Sequence, residues 1–383
     1  MKADKAAAFH IPSLDGIRAA SFLVVFVAHA GLRDLIPGGF GVTVFFFLSG
    51  YLITTLMRME WETCGSVSLG QFYLRRALRI LPPFYLTLAL ATAAAAIGIL
   101  PFGFTPSAVV AQSLHVFNYW LITHRSTGEP AGTGVYWSLA VEEHFYLVFP
   151  LAFIALQKGV REPARRAMIL YAVCAAILAW RMILVYRLHA SADRTYMASD
   201  TRVDSILYGC ALAIYGNPSL DGSSRFSEAT WKWGILPVSM GVLLLTFVYR
   251  DAAFRETMRY SLQGVALTPL FMTSIRYPTW GIYRPLNTRA ASFVGVLSYS
   301  LYLVHHVILF AVQDHVAIHP VGQAAIALGL SLALAWTIYR LVEKPCAVLR
   351  RRLSRATRAP GPRGADVQAT RSEAQVPSPE VGS

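Results

Sequence analysis

The chain has 383 residues, of which 55% are hydrophobic and 14% charged, and its formal net charge is +13. A soluble domain carries roughly 25% charged residues, so the composition excludes a soluble enzyme with one anchor and fits a polytopic membrane protein. The positive charges cluster between apolar segments, which points to membrane topology and anionic lipid, not to nucleic acid.

In chain order, Lys2 and Lys5 precede an apolar run, and Ala28-His29-Ala30 resembles a signal-peptide cleavage site. Asp15 and Arg18 lie directly before that run and another apolar segment follows at once, so residues 1–32 are expected in the mature protein. Candidate spans are 17–35, 40–58, 80–100, 137–157, 167–187, 203–217, 233–250, 260–277, 292–313 and 321–341, with 107–122 also fairly apolar. If 107–122 does not cross, the basic loops around Arg75, Arg165 and Arg284 share one side with both termini, as the positive-inside rule requires. The sequence therefore predicts an all-α bundle of about ten transmembrane helices with both termini cytoplasmic. A long outer loop, 101–136, would hold a re-entrant or interfacial helix near 107–122.

Three regions follow: a cytoplasmic segment 1–16, a transmembrane domain 17–349 and a disordered basic, Pro-rich cytoplasmic tail 350–383. The cysteines Cys64, Cys174, Cys210 and Cys346 form no C-x-x-C motif, so no disulfide framework and no metal site is expected.

Arg18 and His29 stand eleven residues apart in the first span. At about 100° per residue that places both on one helix face, roughly 16 Å apart along the axis. Ionisable groups at such depth normally face a cavity or the bundle interior. In "FYLRRALRILPPFY", Arg76 and Arg79 share a face at the cytoplasmic start of the third span. With Arg18 they could form a basic cluster suited to phosphates, because guanidinium forks bind phosphate bidentately. In "YWSLAVEEHFYLVFPL", only one of Glu142 and Glu143 can face a narrow site squarely, and Ser138, Glu142 and Tyr146 share a face. Arg202 and Asp204 in "TRVDSILYG" either pair or bind a polar acceptor. In "LSYSLYLVHHVI", spacing groups His306 with Tyr299 and Tyr302, and His305 with Ser298 and Tyr302, and does not decide which histidine faces inward.

Taken in order, "LDGIRAASFLVVFVAHA", "FFFLSGYLI", "FYLRRALRILPPFY", "WSLAVEEHFYLVFPL", "RVDSILYG", "SYSLYLVHH" and "YRLVEKP" resemble the acyltransferase-3 family of bacterial membrane O-acyltransferases, from about residue 13 to about 350. The resemblance implies transfer of an acyl group, commonly acetyl, from cytoplasmic acyl-CoA to a carbohydrate hydroxyl. The acceptor would be an exopolysaccharide, an O-antigen, a signalling oligosaccharide or a glycosylated small molecule. Acyl-CoA is then a co-substrate, no bound cofactor or metal is expected, and the location is the bacterial inner membrane. The family's arginine–histidine pair matches Arg18 and His29, and its two arginines match Arg76 and Arg79. Its glutamate matches Glu142, its R-x-D matches Arg202 and Asp204, and its L-Y-L-x-H matches His305. Departures are Ala19 where glycine is frequent, His144 where glutamine is, and Val307 where proline is. The chain leaves no room for the esterase-like domain of some relatives, which points to a stand-alone modifier.

The expected mechanism places acyl-CoA phosphates on Arg18, Arg76 and Arg79. His29 acts as base or acyl carrier, Glu142 orients it, and Arg202, Asp204, His305 and Tyr302 face the acceptor, with Trp120 and Trp137 as candidate sugar platforms. Two rivals use the same buried groups: a transporter or proton relay without acyl transfer, and a haem carrier with His29 and His305 as axial ligands.

Overall fold

A computed structural model describes residues 11–32, 37–124, 128–222 and 224–356. Among the described residues every regular element is helical. They are α1 (Pro12–Val27), α2 (Gly38–Cys64), α3 (Leu69–Ala96), α4 (Pro106–Ser113), α5 (Phe117–His124), α6 (Trp137–Gly159), α7 (Pro163–Tyr186) and α8 (Ala192–Met197). There follow α9 (Ser199–Ile214), the single turn α10 (Glu228–Thr230), α11 (Leu236–Val248), α12 (Ala252–Glu256), α13 (Met258–Arg276), α14 (Arg289–His315), α15 (Pro320–Ile338) and α16 (Lys344–Ala356).

Local chemistry sets many of the ends. Pro12 and Pro163 stand in first turns, where their missing N–H costs nothing. Ser68 caps α3 by accepting from the Gln71 amide at 3.4 Å. Gly65 ends α2 in the left-handed region (φ 68°) while its N–H reaches Trp61 O at 2.8 Å.

Eight helices among the described residues are long and apolar enough to cross a membrane, which makes the chain a polytopic helical bundle. The two other predicted spans are helices of different character. α13 has 19 residues and buries Ser261, Gln263, Thr273 and Ser274. α9 has only 16 residues and is enclosed by neighbours, with 13 of them buried. A jacketed helix needs no lipid-facing apolar surface, so length and hydropathy understate it.

Other boundaries differ from the sequence expectation. The 107–122 stretch is broken into α4 and α5 at His115, whose φ is 55°. Each piece has 8 residues, about 12 Å, against a hydrocarbon core of about 30 Å. α1 begins at Pro12, inside the region expected to precede the membrane domain. At the other end, α15 runs through a π turn (Tyr339–Glu343) into α16, so residues 350–356 are helical and not the start of a disordered tail. Residues 357–383 of that tail lie outside the described residues.

Close helix crossings hold the bundle. α2 meets α9 at Gly50 and Gly209: a Cβ on Gly50 would lie 2.0 Å from Ile206 O, and one on Gly209 would lie 1.9 Å from Phe47 O. Small residues at such crossings let backbones approach and maximise dispersion contact where water supplies no driving force. α1 meets α14 the same way, with Gly295 against Asp15 O.

Candidate active site

Two groups of polar side chains sit at opposite ends of α1. At its start, a cavity of about 240 Å3 is lined by Asp15, Arg18, Ser49, Arg76, Arg79, Glu142, Tyr146 and Tyr302 among others. α1, α2, α3, α6 and α14 each contribute, so the motifs separated in sequence converge here.

Arg18 pairs with Asp15 at 2.7 Å through Nη1, which leaves the rest of its five-donor fork for the cavity. The Arg76 guanidinium lies 5.5 Å from the centre of the Tyr146 ring and 6.0 Å from that of Phe72. Among the described residues neither Arg76 nor Arg79 forms an ion pair. The lining thus sets three arginines against two carboxylates, Asp15 and Glu142, an excess of positive charge.

Of the two adjacent glutamates, Glu142 is the one in the cavity. It accepts from Ser49 Oγ at 3.0 Å and from Tyr146 OH at 2.8 Å. The expectation that Glu142 orients His29 is therefore corrected: its hydrogen bonds fix it among the arginines, and the cavity lining does not include His29.

The partner of His29 is His305. His29 Nδ1 lies 3.0 Å from His305 Nε2. His305 Nδ1 lies 3.1 Å from Leu301 O and 2.9 Å from Tyr302 O, and carbonyls only accept. So neutral His305 carries its proton on Nδ1 and accepts at Nε2. The proton between the rings then belongs to His29 Nδ1, and His29 Nε2 is left with a free lone pair. Phe22 supports His305 edge-on at 5.6 Å, and His306 stacks on His29 at 4.2 Å between ring centres. Both members of the His305–His306 pair thus touch His29, one by hydrogen bond and one by its face. His305 is wholly buried, whereas His29 is partly exposed.

His29 sits in a π turn, Ala28–Leu32, that closes α1. Gly31, at φ 108°, ends the helix. The first span thus runs 13–31 instead of 17–35, which moves His29 from mid-depth to the far end of the helix. Wide π turns are frequent at functional positions. Opposite this turn, Gly132 (φ 86°) packs so closely that a Cβ would lie 2.4 Å from the Val307 amide.

Tyr302 joins the two ends. It lines the arginine cavity, shares a 2.8 Å hydrogen bond with Ser138, and its ring centre is 5.7 Å from that of His305. It belongs to the cavity, not with Arg202 and Asp204 as expected.

Those two residues lie elsewhere. Asp204 pairs with Arg181 at 2.7 Å, with both side chains 0% exposed, and not with Arg202. Ser261 and the Ser205 amide complete its shell. Its hydrogen-bond partners are all protein groups, and it does not line the arginine cavity. Arg202 is wholly buried 4.0 Å from the centre of the Tyr260 ring, with Tyr196 and Trp137 beside it, and donates to Thr43. Trp137 is therefore core, and Trp120 stacks on His124 at 4.6 Å. Arg181 escaped the sequence reading, although a lone arginine within the apolar run of α7 was the available signal.

The haem reading also fails on geometry. Two axial imidazole nitrogens would stand about 4 Å apart across a metal at about 2.0 Å from each, whereas His29 and His305 are hydrogen-bonded at 3.0 Å.

Fold and site define an integral-membrane protein with an arginine-lined cavity at one end and a hydrogen-bonded histidine pair at the other. The comparisons carry this to a family: residues 11–340 match the acyltransferase domain, and the chain belongs to that family. It is 28% identical over 357 residues to the peptidoglycan O-acetyltransferase OatA of Listeria monocytogenes, covering 88% of this chain and 56% of that protein. Over 350 residues it is 27% identical to YrhL of Bacillus subtilis, provisionally named for the same activity, covering 88% of this chain and 55% of the relative. The chain thus spans little more than half the length of these relatives. No solved structure matches it significantly.

Proposed function

We propose that the protein is an O-acetyltransferase of the bacterial cytoplasmic membrane, moving acetyl from acetyl-CoA to a carbohydrate hydroxyl. Family membership and the names of the relatives support the reaction class over a transporter. The observation that carries the reading is a cavity lined by three arginines and by Tyr302, whose ring centre lies 5.7 Å from that of His305, the partner of His29. The basic end faces the cytoplasm, as the distribution of arginines favours.

Arg18, Arg76 and Arg79 bind the donor's phosphates, and Glu142 holds the mouth in shape through Ser49 and Tyr146. The acceptor hydroxyl gives its proton to His29 Nε2 as its oxygen attacks the thioester carbonyl. The C–O bond forms, the C–S bond breaks, and the His29 proton passes to the departing thiolate. His305 holds His29 in the competent tautomer throughout. The acceptor is a polysaccharide hydroxyl, peptidoglycan included, since OatA is named for that polymer.

The test uses inverted membrane vesicles, radiolabelled acetyl-CoA and an isolated cell-wall or exopolysaccharide acceptor. Wild type should consume acetyl-CoA and label the polymer, and His29→Ala should lose about 10²–10⁴-fold of the rate. Equal consumption by both would remove His29 from the chemistry.

A further inference from the structure

A second cavity, of about 490 Å3, opens on the outside of the bundle between the first turns of α14 and the last turns of α15. Its volume falls within the range of ligand clefts, about 300–1,000 Å3. Phe293, Val296 and Trp336 line it and are 50%, 41% and 46% exposed. They face outward, where lipid tails lie. Arg289, Arg340 and Lys344 line it too.

The two helices run antiparallel, so the groove has a direction. Arg289 opens α14 and Lys344 follows the end of α15, while Leu297 and Trp336 each lie eight residues further in. That is about 12 Å of rise. Cations therefore stand at one end and an apolar floor runs inward from them. Arg340 also lies over the Trp336 ring at 5.3 Å, bridging the two zones.

No carboxylate lines the groove. Among the described residues Arg289, Arg340 and Lys344 form no ion pair, and the neighbouring Glu343 is hydrogen-bonded by Ser300 at 2.5 Å.

We propose that this groove is a binding site for one anionic phospholipid. The phosphate headgroup sits among Arg289, Arg340 and Lys344, and the first part of an acyl chain lies over Phe293, Val296 and Trp336. Basic pockets between membrane helices favour anionic headgroups, each lysine or arginine adding to the attraction. Interfacial tryptophan, here Trp336, fixes the depth. The site is separate from the arginine cavity and does not depend on the acetyl-transfer reading.

The test is native mass spectrometry of the full chain in detergent, titrated with dioleoyl-phosphatidylglycerol or dioleoyl-phosphatidylcholine. Wild type should retain one phosphatidylglycerol about tenfold more strongly than phosphatidylcholine. Arg289→Gln, Arg340→Gln and Lys344→Gln together should abolish that preference, and millimolar inorganic phosphate should not displace the lipid. The single variant Arg340→Gln covers a folding failure of the triple one and should lose part of the preference. Equal retention of both lipids by wild type would overturn the proposal. So would displacement by phosphate alone, or a preference that survives the triple variant and disappears in Arg350→Gln/Arg351→Gln/Arg352→Gln.

Discussion

His29 donates to His305, and not the reverse, because the Nδ1 of His305 already faces two backbone carbonyls. One ring thereby fixes the tautomer of the other. His305→Ala should lower kcat about 10–100-fold, the usual cost of losing an orienting partner, with the KM for acetyl-CoA unchanged. His305→Asn, whose side-chain oxygen can still accept from His29, should recover part of the loss. Steady-state kinetics in vesicles checks both, and an unchanged kcat in the alanine variant would sink the assignment.

Arg76 and Arg79 should govern donor affinity. Removing one charge-assisted contact costs about 1.5–3 kcal/mol, so Arg76→Gln or Arg79→Gln should raise the KM for acetyl-CoA about 10–100-fold with a smaller effect on kcat. Raising ionic strength should weaken donor binding in wild type more than in either variant. A fall in kcat alone would place these arginines away from the phosphates.

Arg181 and Asp204 form a wholly buried pair at 2.7 Å. Arg181→Leu leaves an uncompensated carboxylate inside the bundle and should cost about 3–5 kcal/mol. Arg181→Leu with Asp204→Leu should restore most of that. Thermal unfolding in detergent reads the difference, and equal midpoints for the single and double variants would show that the pair does not act as one unit.

Gly50 and Gly209 should tolerate no side chain. Gly50→Ala places a methyl 2.0 Å from Ile206 O and should destabilise by about 1–3 kcal/mol, as overpacking does. Gly70, also helical, has open space around it, so Gly70→Ala should be neutral or slightly stabilising. Size-exclusion profiles after heating separate the two.

Much of this was legible in the sequence. Hydropathy marks the long helices, and the positions of Arg18, Arg76 and Arg79 place three side chains at one end, where one cavity gathers them, together with Glu142, which the sequence did not place there. What escaped depended on contacts distant in sequence. His29 and His305 are 276 residues apart, and no periodicity pairs them. Glu142 looked like the partner of His29 because a carboxylate suits an imidazole, but its own helix face delivers it to Ser49. Arg202 and Asp204, two residues apart, look like a pair, yet their side chains diverge to Tyr260 and Arg181. His29 stands nearer the end of its helix than hydropathy suggests, because Gly31 and the π turn close α1.

The enclosure of α9 has a consequence for how the chain is assembled. A helix of 16 residues carrying Arg202 and Asp204 is a poor substrate for the insertion machinery, since each such charge at mid-membrane costs about 2.5–3.5 kcal/mol. α7 precedes it in the chain and presents Arg181, whose charge Asp204 neutralises. The two segments therefore enter lipid most cheaply as a couple. α9 then waits for the later α13, which brings Ser261 and Tyr260 to close over both arginines. The order of synthesis is thus also an order of charge concealment.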